Sequence, residues 1–315
     1  MTGVESPPAD VRDPTRLRRA AVAVLLRALL LYVIVQLVVV AATLFVLKVD
    51  RPITEPLRTL AFDSGGVEQV EFRSQDGLSL RGELLGGARR GPVVLFGHGY
   101  RASRRQGDPL AAALLKRGAS ILQFDFRGSG SSQGSFTTLG ALEERDVAGA
   151  IRYLEARGVS RQRIAYVGFS MGAAAGLMAA RHLNGIGAVV LIAPYSRMID
   201  TFEKRTRQFA GLPIRPFFTP AVALFGAITR TDPLDCAPIE HVADIGSTPL
   251  LLIGGSRDWR APIEDLFEMR ANALGPCELI GIENADHEDL ARLPPEVLAP
   301  ILNFLEAKLP KAPPR

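Results

Sequence analysis

Two cysteines in 315 residues leave little room for redox or metal chemistry. Cys236 and Cys277 have neither a C-x-x-C spacing nor a metal pattern, so they read as core thiols, with a disulfide between them left open if the domain is exported. A strong excess of one charge is also missing. The formal balance is +4, and no Lys/Arg run is interleaved with aromatics, which argues against nucleic acid as a partner. There is no internal repeat. What the chain has in quantity is apolar residue, 47% against 22% charged, enough for one large α/β domain with an extra segment.

Part of that apolar excess sits near the N-terminus. Residues 28–47 read ALLLYVIVQLVVVAATLFVL, broken only by Gln36 and Thr43 and long enough to cross a bilayer core as a helix. A secretory signal peptide has a shorter apolar region, and the best small-residue site here, Val40-Ala41-Ala42, lies inside the run. A core helix of a soluble domain would not be apolar on every face. The expectation is an uncleaved anchor over 28–48, preceded by a basic arm (1–27) and followed by a linker (49–66) with Pro52 and Pro56. Arg16, Arg18, Arg19 and Arg27 precede the span, partly offset by Lys48, Arg51 and Arg58 after it. That balance places the N-terminus in the cytoplasm and the large domain outside, on a single-pass membrane protein.

From residue 67 onward strands and helices alternate. Segments 67–72 and 78–85 flank Asp76-Gly77 as an antiparallel hairpin. Strands are expected at 92–96, 120–126, 163–167, 188–193, 250–254 and 278–282, and helices at 110–117, 139–156, after residue 170, at 263–274 and at 296–308. Such alternation implies a mostly parallel sheet covered on both faces, in a domain spanning 67–310. The segment 195–245 breaks the rhythm. It has no clean strand, and its phenylalanines are spread among basic residues and Pro213, Pro216 and Pro220. It reads as a cap over a pocket, a patch that leans on a membrane, or plain core packing.

The chemistry points to Ser170. A short apolar strand runs into Gly168-Phe169-Ser170-Met171-Gly172, followed by Ala173, Ala174, Ala175 and Gly176. A strand that turns at once into a helix holds its apex residue in a strained conformation. The residues two before and two after must then clear the crossing backbone, which glycine does. A serine hydroxyl needs a base and an orienting acid to act as a nucleophile. Of four histidines, His98 follows a strand in Gly97-His98-Gly99, where the backbone is better placed to bind an oxyanion. His182 is carried away along the helix, and His241 lies in the irregular segment. His287, in Asn284-Ala285-Asp286-His287 after a strand, is the best base. For the acid, Asp258 after the strand at 250–254 ranks above Asp200 and gives the chain order Ser, Asp, His. Asp125 reads instead as a structural partner of Arg127.

Taken together, Phe96-Gly97-His98-Gly99-Tyr100, Asp125-Phe126-Arg127-Gly128-Ser129-Gly130, Gly168-Phe169-Ser170-Met171-Gly172, Gly255-Ser256-Arg257-Asp258 with Pro262, and His287 resemble the α/β-hydrolase superfamily. Within it, the pattern is most similar to serine-aminopeptidase-like and membrane-tethered members, over roughly 67–308. The resemblance implies an α/β-hydrolase fold behind one transmembrane helix. It implies Ser170 as nucleophile, His287 as base, Asp258 as acid, and the backbone N–H groups of Met171 and Tyr100 as the oxyanion hole. Asp286 stands where a small residue is usual, either to raise the basicity of His287 or to act as a rival acid.

The expected activity is hydrolysis of a carboxylic ester or thioester through an acyl-serine. Such chemistry calls for no metal or organic cofactor. The partner would be a small acyl substrate, lipid-like in view of the anchor and the Phe-rich segment. A peptidase or amidase, and an idle membrane-tethered scaffold, are the alternative readings.

Overall fold

In a computed structural model of the chain, residues 14–48, 66–87, 91–200 and 215–310 are described. Residues 1–13 of the expected basic arm, nearly all of the linker, and residues 201–214 of the irregular segment lie outside them. A single sheet of eight strands runs through the structure in the order β1-β2-β4-β3-β5-β6-β7-β8. Its strands are β1 (Val67–Arg73), β2 (Ser79–Leu85), β3 (Val93–Gly97), β4 (Ser120–Phe124), β5 (Ile164–Phe169), β6 (Ala188–Ile192), β7 (Leu250–Gly255) and β8 (Cys277–Ile282). β1 and β2 form the hairpin, turned at Gly77 with φ +91°, and β2 pairs antiparallel with β4. From β4 to β8 every pairing is parallel.

The pattern of burial follows from this order. β3, β4, β5, β6 and β7 are buried at every position, as continuous apolar runs must be when helices cover both faces. One face carries α3 (Glu144–Ala156), α4 (Met171–Met178), α5 (Ala180–Leu183) and α7 (Ile263–Asn272), packed over Leu95, Leu122, Tyr166, Leu191 and Leu252. The opposite face carries α2 (Asp108–Leu115), α8 (His287–Ala291) and α9 (Pro295–Lys308) over Val94, Ile121, Val167, Val190 and Ile253. Alternate residues of each strand feed the two cores, because side chains of a strand point to opposite faces.

Three elements depart from the sequence expectation. The helix expected from 139 begins at Glu144; residues 137–142 instead form a loop wrapped round the buried Glu143 carboxylate, which accepts from Thr138 N, Gly140 N and the hydroxyls of Thr137 and Thr138 at 2.6–2.9 Å. The apolar helix α1 starts at Pro14, not 28, and runs to Leu47. Its stretch from Arg18 to Leu47 has the length and composition of a membrane span or a signal sequence. In the irregular segment, α6 (Arg215–Thr229) and a 3-10 helix (Pro238–Ile245) are present among the described residues, and α6 packs along α1. Both cysteines are free thiols; burial pushes Cys236 up to about 12.

A buried ion cluster pins the loop after β4. The Arg127 guanidinium bonds Asp146 on α3 and Asp76 in the hairpin turn at 2.7–3.2 Å, and its backbone N–H also donates to Asp146. Burial opposes the Arg127 charge, but these carboxylates outweigh it and hold its proton more tightly. Burial, the largest single influence, raises the Asp76 carboxyl, but the bonds from Arg127, Ser74 and Arg145 together outweigh it and hold the group below the usual carboxylate range. Since Asp76 titrates lower when folded than unfolded, its contribution to stability is present at neutral pH and is lost as pH falls through and below that range. Replacing Arg127 by Met leaves Asp146 fully buried without its partner. A loss of about 3–5 kcal/mol is expected in urea denaturation at pH 7, shrinking toward acid pH.

Candidate active site

β5 ends at Phe169 and α4 starts at Met171, so the chain reverses within the single residue Ser170. Ser170 takes φ +49°, ψ −111°, a region costly for any residue with a Cβ. The glycines at each side permit the turn. A Cβ on Gly168 would sit 2.7 Å from Gly172 O, and one on Gly172 would run into the backbone of Gly97 and lie 2.8 Å from His98 O. Tyr166, fully buried beneath, donates its hydroxyl to Gly172 O at 2.6 Å and locks the first turn of α4 to the sheet. The sequence reading of why small residues crowd this serine therefore matches the packing.

Asp258 and His287 arrive from the loops after β7 and β8, beyond β6 along the sheet edge. The loops after β7 and β8 are stitched together: Ser256 N donates to Ile282 O, Arg257 N to Ala285 O, and Asn284 N to the Ser256 hydroxyl, at 2.8–3.0 Å. Asp258 Oδ1 is taken by the N–H groups of Arg260 and Ala261, leaving Oδ2 for His287 Nδ1 at 2.6 Å. His287 Nε2 lies 2.9 Å from Ser170 Oγ. One protonation state satisfies both ends of the ring: Nδ1–H donates to Asp258, and Nε2 accepts the Ser170 O–H. The Phe169 ring packs against the imidazole at 5.1 Å between centroids.

The rivals find other work. Asp286 caps α8, accepting from Glu288 N and Asp289 N at 2.9 Å, while the Asp289 carboxylate returns a bond to Asp286 N. The backbone N–H of Asp289, the largest influence, helps hold the Asp286 carboxyl below its usual range. Asp125 is structural, but its partner is Arg104 at 2.6 Å together with Arg104 N and Ser131 N; Arg127 is engaged elsewhere. Residues two apart share a face only within a strand, and β4 ends at Phe124, so the spacing does not pair Asp125 with Arg127 in the loop that follows. His98 is fully buried, with Nδ1 at 2.7 Å from Gly99 O and Nε2 accepting from Phe126 N at 3.1 Å. Burial lowers its pKa, so it is a neutral strut between the loops after β3 and β4. His241 pairs with Asp244, and His182 lies on α5. Asp200 is half-buried beside the undescribed segment.

Two backbone amides were expected to face the reacting oxygen. Met171 is the first residue of α4, where an N–H has no partner within the helix. Gly99 N is taken by the Gln106 side chain at 2.8 Å, which leaves the following amide, Tyr100, as the next candidate of that loop. Sequence reasoning did not foresee what holds this loop. The Tyr100 hydroxyl donates to Val46 O at 2.9 Å, Arg101 donates to Phe45 O at 3.2 Å, and the Arg101 guanidinium lies 4.0 Å over the Phe45 ring. Leu47 is buried among Ala174, Tyr195, Met198 and Phe225, and its carbonyl accepts from Thr137 N at 3.1 Å. No sequence signal ties an N-terminal apolar run to a loop more than fifty residues away.

Two substitutions test this anatomy. Gly172→Ala forces α4 away from β3, and a loss of about 1–3 kcal/mol in denaturant melts is expected. Asp286→Ala removes only a helix cap and should lower the unfolding midpoint much less than Gly172→Ala in the same assay.

The Alpha/beta hydrolase family model matches residues 93–301. Among curated relatives, the chain is 35% identical over 143 residues to a polyketide transferase of Stachybotrys chlorohalonatus, 44% of this chain and 48% of that protein, so it spans about half the length of that relative. It is 29% identical over 274 residues to an uncharacterized protein of Mycobacterium tuberculosis, 84% of this chain and 89% of the other. Among solved structures, an esterase of Pyrococcus furiosus superposes with a TM-score of 0.66 at 26% identity, covering 84% of this chain and 99% of the esterase. The family match takes in the strands and loops that carry Ser170, Asp258 and His287. This chain belongs to the alpha/beta hydrolase family.

Proposed function

We propose that the chain is a membrane-anchored serine hydrolase that cleaves carboxylic esters or thioesters through an acyl-Ser170 intermediate. The observation that carries this reading is the unbroken relay from Ser170 Oγ to His287 Nε2, 2.9 Å, and from His287 Nδ1 to Asp258 Oδ2, 2.6 Å. Ser170 Oγ attacks the acyl carbonyl carbon as its proton passes to Nε2. Asp258 fixes the ring tautomer and stabilises the imidazolium. The amide N–H groups of Met171 and Tyr100 receive the oxyanion, each contributing about 3 kcal/mol to the transition state. Collapse breaks the bond to the leaving alkoxide or thiolate, which takes the proton from Nε2. Water then enters, gives its proton to Nε2 and attacks the acyl-serine; the second collapse returns that proton to Ser170 Oγ and releases the acid.

The acyl-serine can also be intercepted by an alcohol or amine instead of water. The likeness to a polyketide transferase supports this second outcome of the same intermediate. Retention of α1 as an anchor is supported by Leu47, only 3% exposed, and by the bridge of Lys48 to Phe136: removal of the helix would strip residues out of the domain's own packing. The arginines before the span favour a cytoplasmic N-terminus with the catalytic domain on the other side.

Detergent-solubilised protein should react with a fluorophosphonate probe and hydrolyse a series of nitrophenyl esters, and Ser170→Ala should do neither. Folded wild type that takes no label would sink the assignment. Asp258→Asn should lower kcat on the order of 10⁴-fold with a smaller change in KM, whereas Asp286→Asn should stay within a few-fold of wild type. Added alcohol acceptors measured against water report the transferase share.

A further inference from the structure

The outward face of α6 carries no charge. Its buried positions are Ala221, Phe225 and Thr229, and the exposed ones are Thr219, Ala223, Ala227 and Ile228. From residue 216 to 229 there is no Asp, Glu, Lys or Arg, while Arg215 and Arg230 stand at the two ends. A helix with one side on protein and the other in water shows a polar stripe to the water; one that is apolar all round lies inside protein or in lipid. The element packed along α6 is α1. On α1 a half-buried stripe of Val35, Gln36, Val39, Val40, Thr43 and Val46 recurs every three or four residues up to the buried Leu47. The rest of that length exposes Leu37, Val38, Leu44 and Phe45. The two helices form one apolar unit with an apolar exterior.

That unit ends at the active site with no spacer. The carbonyls of Phe45 and Val46 accept from Arg101 and Tyr100 in the loop after β3. Leu47 and Phe225 share a cluster with Ala174, in the first turns of the helix that follows Ser170. Counting back about 20 residues from Leu47, the length a bilayer core needs, reaches the position just after Arg27. The hydrocarbon boundary therefore falls at the level of Tyr100.

We infer that α6 is inserted beside α1 in the leaflet next to the hydrolase domain, and that Ser170 opens onto this leaflet, so that the acyl substrate is a bilayer-resident ester that reaches the serine laterally. At about 22 Å by helical rise, α6 is too short to cross. The substrate part of this inference rests on the proposed serine hydrolase; the insertion of α6 rests on the anchor reading of α1.

The test uses the full chain in phosphatidylcholine vesicles. Its single tryptophan, Trp259, is removed by Trp259→Phe, and Ala223→Trp then sets a reporter on the outward face of α6. Insertion predicts that the reporter loses most of its emission when the lipid is replaced by phosphatidylcholine brominated on its acyl chains, and that aqueous acrylamide quenches it little. Acrylamide quenching without bromolipid quenching overturns the proposal, and so does protection from both, which would mean cover by protein such as a second copy. Ala227→Trp repeats the reading one turn further on if the first variant does not fold, folding being checked by circular dichroism and a cooperative thermal melt. Lateral uptake is read separately with wild type: diluting a long-chain ester with inert lipid at fixed bulk concentration should lower the rate in step with its mole fraction. A rate that follows bulk concentration alone overturns lateral entry. Loss of labelling in folded wild type would sink the hydrolase reading and leave the fluorescence result standing.

Discussion

The close crossing of α4 over β3 and β5 is the constraint on which the rest of the molecule depends. Gly168 and Gly172 bring the backbones of β3, β5 and α4 together at distances that no Cβ would permit. Tyr166 fixes the contact from below through its bond to Gly172 O. Because the crossing is so tight, Ser170 is lifted out of the sheet in a strained conformation, and the loop after Gly97 is held beside the first amides of α4. A looser crossing would relieve the serine and separate the oxyanion donors from it. The surrounding core supplies what it takes to hold a strained residue in place.

Around this crossing the loops are organised by buried carboxylates. Glu83 takes a bidentate Arg105, Asp125 takes Arg104, Asp146 takes Arg127, and Glu143 takes two threonines and two amides. A carboxylate removed from water must be saturated with donors, so each one dictates the shape of the chain that surrounds it. These groups lie in the loops after β3 and β4 or beside them, and none of them takes part in the relay. Asp258 is the exception that proves useful: with Oδ1 saturated by two amides, only Oδ2 remains to orient a base.

The apolar N-terminal helix enters the same system. Its last turn is bonded to the loop that carries Tyr100 and packed against the helix that carries the nucleophile. The end of that helix and the site are thus one mechanical unit.

The sequence by itself determined the strands, their parallel character, the turn at Ser170 and the identity of its partners, because each of these is written in local pattern: buried β-branched runs, glycines at fixed offsets, a histidine and an aspartate directly after strands. Asp286 satisfies the same chain order as Asp258 and stood as a rival acid; the capping box that occupies it was not legible in the sequence. What only the tertiary structure decided is which distant groups meet. Asp125 found Arg104, Glu143 unwound the start of a helix that periodicity had extended to 139, and α1 closed on the loop after β3. Local propensity and spacing act over a few residues, whereas these pairings are set by the demand that every buried charge and every apolar face find a partner wherever the fold brings one near.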